Sequence, residues 1–149
     1  MKDRHSVIVT DVNVLVYAFD ESWPNHARYA GWLAGIAGGA DSLALVDTVL
    51  SQFVRIVTHP KIFEDPAPTA VALEFVQALI DSPSGTWLGS NRATWQAFTS
   101  LAEGDRGVRG NHVPDAYLAS VAIANGARLA TADRGFARYP GLDWFDPGT

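Results

Sequence analysis

Three aspartates are the residues of this chain best placed to do chemistry: Asp11, Asp115 and Asp133. Asp11 follows the short apolar run Val7-Ile8-Val9 and Thr10, and a second apolar run begins at once and extends to Asp20-Glu21. A brief β-branched run of this kind reads as a buried strand of a parallel sheet, and the run after it as a helix laid back over that sheet. Asp11 then stands at the carboxyl edge, where open α/β sheets bind ligands. The same position suits a helix-capping aspartate, and the spacing leaves both roles open. Asp133 closes a similar pattern, a short strand through Leu129-Ala130 followed by Thr131 and the aspartate. Simple turn chemistry in Asp133-Arg134-Gly135 is its alternative. Asp115 lies in the first turn of the clearest helix in the chain, Val113 to Ala124. Pro114 fits the start of that helix, where no amide donor is needed, and the helix dipole favours an ionised carboxylate beside it. A plain helix-dipole acid is the competing role for Asp115.

If the connections are right-handed, this helix enters from the edge at which the two strands end. Three bare carboxylates at one edge would repel one another, and at least one would take up a proton. A divalent cation removes that conflict. Magnesium prefers oxygen ligands and is held by one or two carboxylates together with waters and substrate phosphate. The chain has no cysteine, and its four histidines show no metal-ligand pairing, so a hard, oxygen-ligated ion fits better than zinc. Such an ion can generate hydroxide and neutralise the charge of an in-line phosphoryl displacement.

The elements that must position these acids alternate along the chain. After the first strand and helix, Ser22-Trp23-Pro24-Asn25 is a turn, with Asn25 expected to cap a helix from His26 to Ala37 and His26 expected to be an exposed first-turn residue. Ser42 to Val46 reads as a second strand ending at Asp47, and Val49-Leu50, Phe53-Val54 and Ile56-Val57 continue as a helix, with Ser51, Gln52 and Arg55 on its outer side. Thr58-His59-Pro60 ends it, because the residue before a proline is pushed out of the α region. Thr69 is expected to cap a helix from Ala70 to Ile80 with Val71, Leu73, Phe75, Val76, Leu79 and Ile80 inward. Thr86-Trp87-Leu88 reads as a short strand, and Asn91 to Ala102 as a weaker helix with Trp95, Phe98 and Leu101 inward. Glu103 to His112, with three glycines and two arginines, reads as a mobile, locally basic loop: a plain surface loop, or an arm that contacts phosphate. A terminal strand falls in Leu142-Asp143-Trp144-Phe145. The expectation is an α/β fold, one domain over residues 1–149, with a parallel central sheet of about four to five short strands and helices on both faces.

Composition narrows the function classes. At 149 residues, with 48% hydrophobic and 18% charged residues, the chain can bury a proper core and is not disordered. A net charge of -5 argues against a basic, non-specific nucleic-acid coat, but not against an enzyme that holds a phosphodiester through a metal and a few local cations. Without cysteine there is no thiol nucleophile or disulfide framework. No apolar run approaches the roughly 20 residues that span a bilayer, and Met1 to His5 has no signal-peptide character, so a soluble, cytoplasmic protein is expected.

Asp11-Val12-Asn13, Pro114-Asp115-Ala116-Tyr117-Leu118-Ala119 and Thr131-Ala132-Asp133-Arg134-Gly135-Phe136 together resemble a PIN-domain endoribonuclease, and more narrowly the VapC toxins of bacterial type II toxin–antitoxin pairs. Val54 to Pro60 is also similar to a stretch common in that family. The resemblance implies Mg²⁺- or Mn²⁺-dependent cutting of single-stranded or looped RNA, a homodimer, and a cognate antitoxin that blocks the site. It implies that Asp11 and Asp115 hold the metal, that Asp133 completes the acidic cluster and helps place the attacking water, and that Asn13 and Thr131 orient the carboxylates. There is one departure: where the family usually has a fourth acid, a glutamate, this chain has Gln52. An amide can orient water or offer a carbonyl, but it is no general base near neutral pH. Asp47, earlier on the same helix, is a candidate substitute, with a helix cap as its other role.

Three rivals remain. A dinucleotide-binding enzyme wants a glycine-rich turn after the first strand, and Asp11-Val12-Asn13-Val14 has none. A phosphatase with an aspartyl nucleophile usually has a second acid two residues on, where this chain has Asn13. The third is a catalytically weakened PIN-like module that binds RNA or a protein without cutting, and the missing fourth acid is what favours it.

Overall fold

A computed structural model describes residues 6–149; residues 1–5, read above as a lead-in without a signal sequence, lie outside the described residues. Five short runs pair into one sheet: β1 (Val7–Thr10), β2 (Ser42–Leu45), β3 (Gly85–Trp87), β4 (Arg128–Ala130) and β5 (Asp143–Phe145). Their order is β3-β2-β1-β4-β5, and every neighbouring pair is parallel. Both faces are covered, so Ile8, Val9, Leu43, Leu45 and Leu129 are all buried and the strands lack a polar alternation. The α/β architecture and strand count expected from the sequence are present.

The chain leaves β1 towards β2 and β3, then crosses back to β4 and β5. Four helices occupy the outward path: α1 (Val12–Phe19), α2 (His26–Ala37), α3 (Asp47–Val57) and α4 (Thr69–Ile80). The return carries α5 (Arg92–Gly104) and α6 (Val113–Ala124), which pack on each other. Right-handed crossovers in opposite directions place these two groups on opposite faces of the sheet. The strand order therefore reverses between β1 and β4. In open parallel sheets the crevice outside the carboxyl ends of the strands at such a reversal is where ligands bind.

The core on the first face is built around Phe53 of α3, which is fully buried. Its ring stacks on Phe75 of α4 at 5.0 Å and meets the edge of Phe19 of α1 at 5.4 Å. This aromatic cluster ties three helices together and fixes the rotation of α3, and with it the direction in which Gln52 points.

Several local expectations are corrected. In α4 the buried residues are Ala72, Val76 and Leu79, while Val71 and Leu73 are exposed. That helix is apolar nearly all round, so hydrophobicity alone does not select its buried stripe. In α5 Trp95 is 57% exposed and its neighbour Thr94 is buried instead. Thr94 can be buried because its backbone and hydroxyl both donate to Asn91 Oδ1, in a capping box that starts the helix. Asn25 and Thr69 make no capping bond; Pro68, not Thr69, holds the cap position of α4. His26 is half-buried, with Nδ1 2.9 Å from the Tyr17 carbonyl oxygen, and is not a free surface residue. Strand β2 ends at Leu45, Val46 is the residue before α3, and Asp47 is an exposed first-turn residue with no cap role. No helix among the described residues is long and apolar enough to cross a membrane.

The contrast between a buried phenylalanine and an exposed leucine gives a stability test. Phe53→Ala should destabilise the fold by about 3–5 kcal/mol, the usual cost of emptying a buried aromatic site. Leu73→Ala should change stability by no more than about 0.5 kcal/mol, since it removes only exposed surface. Urea unfolding of the two variants checks both values.

Candidate active site

The register of β1 against β4 builds the site. Thr10 pairs with Ala130, so the next residues on each strand, Asp11 and Thr131, emerge side by side at the carboxyl edge. The Asp11 backbone N–H donates to the Ala130 carbonyl at 2.9 Å, holding the two chain exits together. Thr131 Oγ1 then donates to Asp11 Oδ2 at 2.8 Å and accepts from the Asp133 backbone N–H at 3.0 Å. The fully buried threonine thus orients one carboxylate directly and sets the backbone that carries another. Asn13 adds to this: its Oδ1 accepts from the Ala132 backbone N–H at 3.3 Å, bracing the same turn from α1.

Asp11 is a helix cap and also faces a cavity. Its Oδ1 accepts from the Val12 backbone N–H at 2.7 Å as the cap of α1, while the side chain remains on the wall of a cavity. It is 8% exposed. Burial pushes its carboxyl up to about 6; the Thr131 and Val12 hydrogen bonds work against that, and the charges of Asp115 and Asp133 add to it. Asp115, half-buried in the first turn of α6, is also raised, first by burial and then by the Asp133 charge, with His112 acting in the opposite sense. Asp133 is exposed, and its Oδ1 accepts from the Gly135 backbone N–H at 2.8 Å. The three acids therefore share one electrostatic environment.

They do not form a ready-made cage. Asp11 and Asp115 lie on a cavity of about 330 Å³ between α3 and α6, together with Thr48, Gln52 and Tyr117. Asp115 and Asp133 lie on a smaller one of about 130 Å³, with His112, Arg138 and Tyr139. Among the described residues no three histidine or acidic side chains gather closely enough to hold an ion by themselves. The donor set still fits a hard divalent cation. Asp11 and Asp115 offer carboxylate oxygens whose raised affinity for a proton reports unsatisfied negative charge. Magnesium needs only one or two such ligands, with water and phosphate completing the shell.

Gln52 lines the cavity that holds Asp11 and Asp115, so the amide occupies the site itself; Asp47 does not line it. Thr48 and Tyr117 also line it; the sequence assigns neither a role, although Thr48 stands one helical turn before Gln52 and Tyr117 falls within the Pro114-to-Ala119 motif. The loop after α5 is tethered. Asp105 accepts from the Gly107 backbone N–H at 2.8 Å and is gripped by both Arg138 Nε and Nη2 at 2.8 and 2.9 Å. That clasp joins residues too distant in sequence for any local pattern to reveal. Arg106 and Arg109 are exposed and line neither cavity.

The state of Asp11 sets a pH test on the metal-free protein. Its carboxyl rises from an ordinary 3.8 to about 6 on folding, so the native chain binds that proton more tightly than the unfolded chain. Stability contributed by the protonated acid is complete below about pH 4 and is lost as pH rises through about 6, a change of about 3 kcal/mol. Urea unfolding in EDTA between pH 4 and 8 should show that decline, and Asp11→Asn should remove the share due to Asp11, leaving only that of Asp115, and be the more stable protein at neutral pH. An unchanged pH profile in Asp11→Asn would show that another group carries the effect.

Comparison with known proteins gives the family and agrees with the fold. The PIN domain family matches residues 8–142. The chain is 40% identical over 141 residues to VapC ribonuclease Mb2897 of Mycobacterium bovis and to ribonuclease VapC43 of Mycobacterium tuberculosis, covering 95% of this chain and 95% of each relative. Its fold matches that of VapBC2 from Rickettsia felis, solved bound to a DNA fragment from its promoter, with a TM-score of 0.71 at 19% identity, over 94% of this chain and 98% of the other. By sequence match and by fold, the chain belongs to the PIN-domain family.

Proposed function

We propose that the chain is a divalent-metal-dependent endoribonuclease that hydrolyses RNA phosphodiester bonds and acts, as one domain over residues 1–149, as the toxin of a toxin–antitoxin pair in the cytoplasm. The observation that carries this reading is the gathering of Asp11, Asp115 and Asp133 at the sheet reversal, where burial raises the proton affinity of Asp11 and Asp115, the charges of Asp115 and Asp133 add to it at Asp11, and that of Asp133 adds to it at Asp115. The ribonucleases among its 40%-identical relatives support the reaction class.

In this reading Asp11 and Asp115 hold Mg²⁺, with Mn²⁺ as the alternative ion. When bound, the cation supplies charge neutralisation and Lewis acidity at the scissile phosphate. Thr131 keeps Asp11 pointed into the cavity, and Asn13 fixes the turn that carries Asp133. Asp133 has one oxygen engaged by Gly135, which leaves the other as an acceptor able to orient a water. The start of α6 presents the positive end of its dipole to the same edge, favouring the anionic substrate. Partners follow from the kinship: an RNA substrate, a second copy of the chain, and an antitoxin. The VapBC assembly that shares the fold supports the last of these.

A second reading is favoured by Gln52 on the cavity wall: a PIN-like module that binds RNA or protein and does not cut. Metal-dependent product separates the two. Purified protein with Mn²⁺ should cut cellular RNA, and EDTA should abolish the cleavage. Asp11→Ala and Asp115→Ala should lower it by orders of magnitude, and Thr131→Val, which removes an orienting group, by about 10–100-fold. Circular dichroism should show that each variant is folded. Sequencing RNA ends after induction in cells gives the target. An antitoxin-free preparation that leaves every class of RNA intact would reject the nuclease reading in favour of the binding module.

A further inference from the structure

The cavity between α3 and α6 is larger than an ion and its waters require. It offers about 330 Å³, many times the roughly 10–15 Å³ that a cavity needs to hold one water, and it is partly open to solvent. That volume is at the small end of the about 300–1,000 Å³ typical of organic ligand sites. The carboxylates of Asp11 and Asp115 occupy part of its wall. Val49 of α3 and Leu118 and Val121 of α6 make much of the remainder apolar. Two neutral polar side chains, Thr48 and Gln52, stand one helical turn apart on α3, and both are exposed enough to meet a ligand.

Tyr117 completes the wall and is held in place. Its hydroxyl donates to Ser90 Oγ at 2.7 Å, and the edge of its ring meets Phe98 at 5.8 Å. Phe98 in turn packs on Trp95 at 5.3 Å. A ring fixed in this way loses little freedom when a ligand packs on it. The combination is a slot with apolar walls, a fixed aromatic and one amide that both donates and accepts. Its chemistry matches an unpaired base, which has apolar faces and an edge of mixed donors and acceptors. A carboxylate at position 52 would only accept hydrogen bonds and would add repulsion beside a phosphate; the amide of Gln52 does neither.

We propose that this cavity is a nucleobase subsite. An unpaired base next to the phosphate at Asp11 and Asp115 enters between α3 and α6, packs against Tyr117 and Leu118, and has its edge read by the Gln52 amide with Thr48 beside it. The identity of the strand that carries the base rests on the ribonuclease reading; the slot itself does not. Gln52 is in this role a specificity-determining residue.

The test uses the whole chain in EDTA, titrated with the four uncharged nucleosides adenosine, guanosine, cytidine and uridine and followed by backbone amide NMR. The amides of Thr48, Gln52 and Tyr117 should shift saturably, with one nucleoside preferred. Gln52→Leu, an exposed substitution that keeps the side chain's bulk, should reduce the ratio between best and worst nucleoside by about tenfold. In parallel, RNA ends produced with Mn²⁺ are mapped for wild type and Gln52→Leu, and the base preference beside the cut should relax in the variant. No saturable shift at these three amides, or the same selectivity in both proteins, overturns the subsite even if RNA is cut. Selective nucleoside binding that Gln52→Leu flattens, in a protein that cuts no RNA, supports the subsite and overturns the ribonuclease reading instead.

Discussion

The site depends on one buried contact, the hydrogen bond from Thr131 Oγ1 to Asp11 Oδ2 at 2.8 Å. It joins residues at the ends of β1 and β4, the two strands between which the sheet order reverses. A carboxylate as buried as Asp11 would ordinarily discharge itself by taking up a proton. Here a hydroxyl and a backbone N–H each donate to it, which keeps its pKa at about 6 and not higher, against the burial and like charges that raise it. Near neutral pH the carboxylate is thus mostly ionised, yet still destabilised. In the proposed reading a cation held by Asp11 and Asp115 relieves that cost, so the folded chain should be the more stable with the ion bound.

The same contact fixes geometry. Because Thr131 also accepts the Asp133 N–H, rotation of its side chain disturbs two acids at once. Asn13 braces the intervening Ala132, so the turn after β4 is tied to β1 and α1 before it reaches the surface. Farther out, the Asp105–Arg138 clasp fastens the loop after α5 to the segment following Asp133. This loop was expected to be mobile and basic. Its hydrogen bonds instead tether it to Arg138, a residue on the wall of the smaller cavity, and that cation is spent on Asp105.

Asp11, Asp115 and Asp133 were legible because each sits where a strand ends or a helix begins, and parallel topology brings those points to one edge. The sheet was legible for a related reason: its strands are buried on both faces and read as unbroken apolar runs. Helix faces were not. In α4 apolar residues surround the axis, so Leu73 and Val76 carry the same signal although only Val76 is buried. In α5 a threonine displaced a tryptophan from the interior, because the capping box satisfied the threonine's polar group, and no hydrophobicity pattern encodes that exchange. Gln52 was recognised as a departure, but its place on the cavity wall beside Thr48 and Tyr117 required the rotation of α3 that Phe53 sets. The separation of the acids into two adjoining cavities, with Asp115 common to both, was also beyond any one-dimensional pattern.

A chain of net charge -5 that binds a polyanion cannot draw on a broad positive field. In the proposed reading its attraction for a phosphate is local, and the local groups are few: the cation assigned to Asp11 and Asp115, the first turn of α6, and whichever exposed arginines reach the strand. At physiological ionic strength surface charges are screened beyond about 8 Å, so the acidic remainder of the surface repels the substrate weakly once it has arrived. Such a balance gives little affinity for a duplex backbone as such and favours a strand that can also offer unstacked bases to apolar surface. The cavity walled by Tyr117, Leu118 and Val121 supplies that surface directly beside the carboxylates. On the proposed reading the weak long-range attraction and the apolar slot are therefore two sides of one solution: selectivity for RNA that is locally open, reached without a basic face.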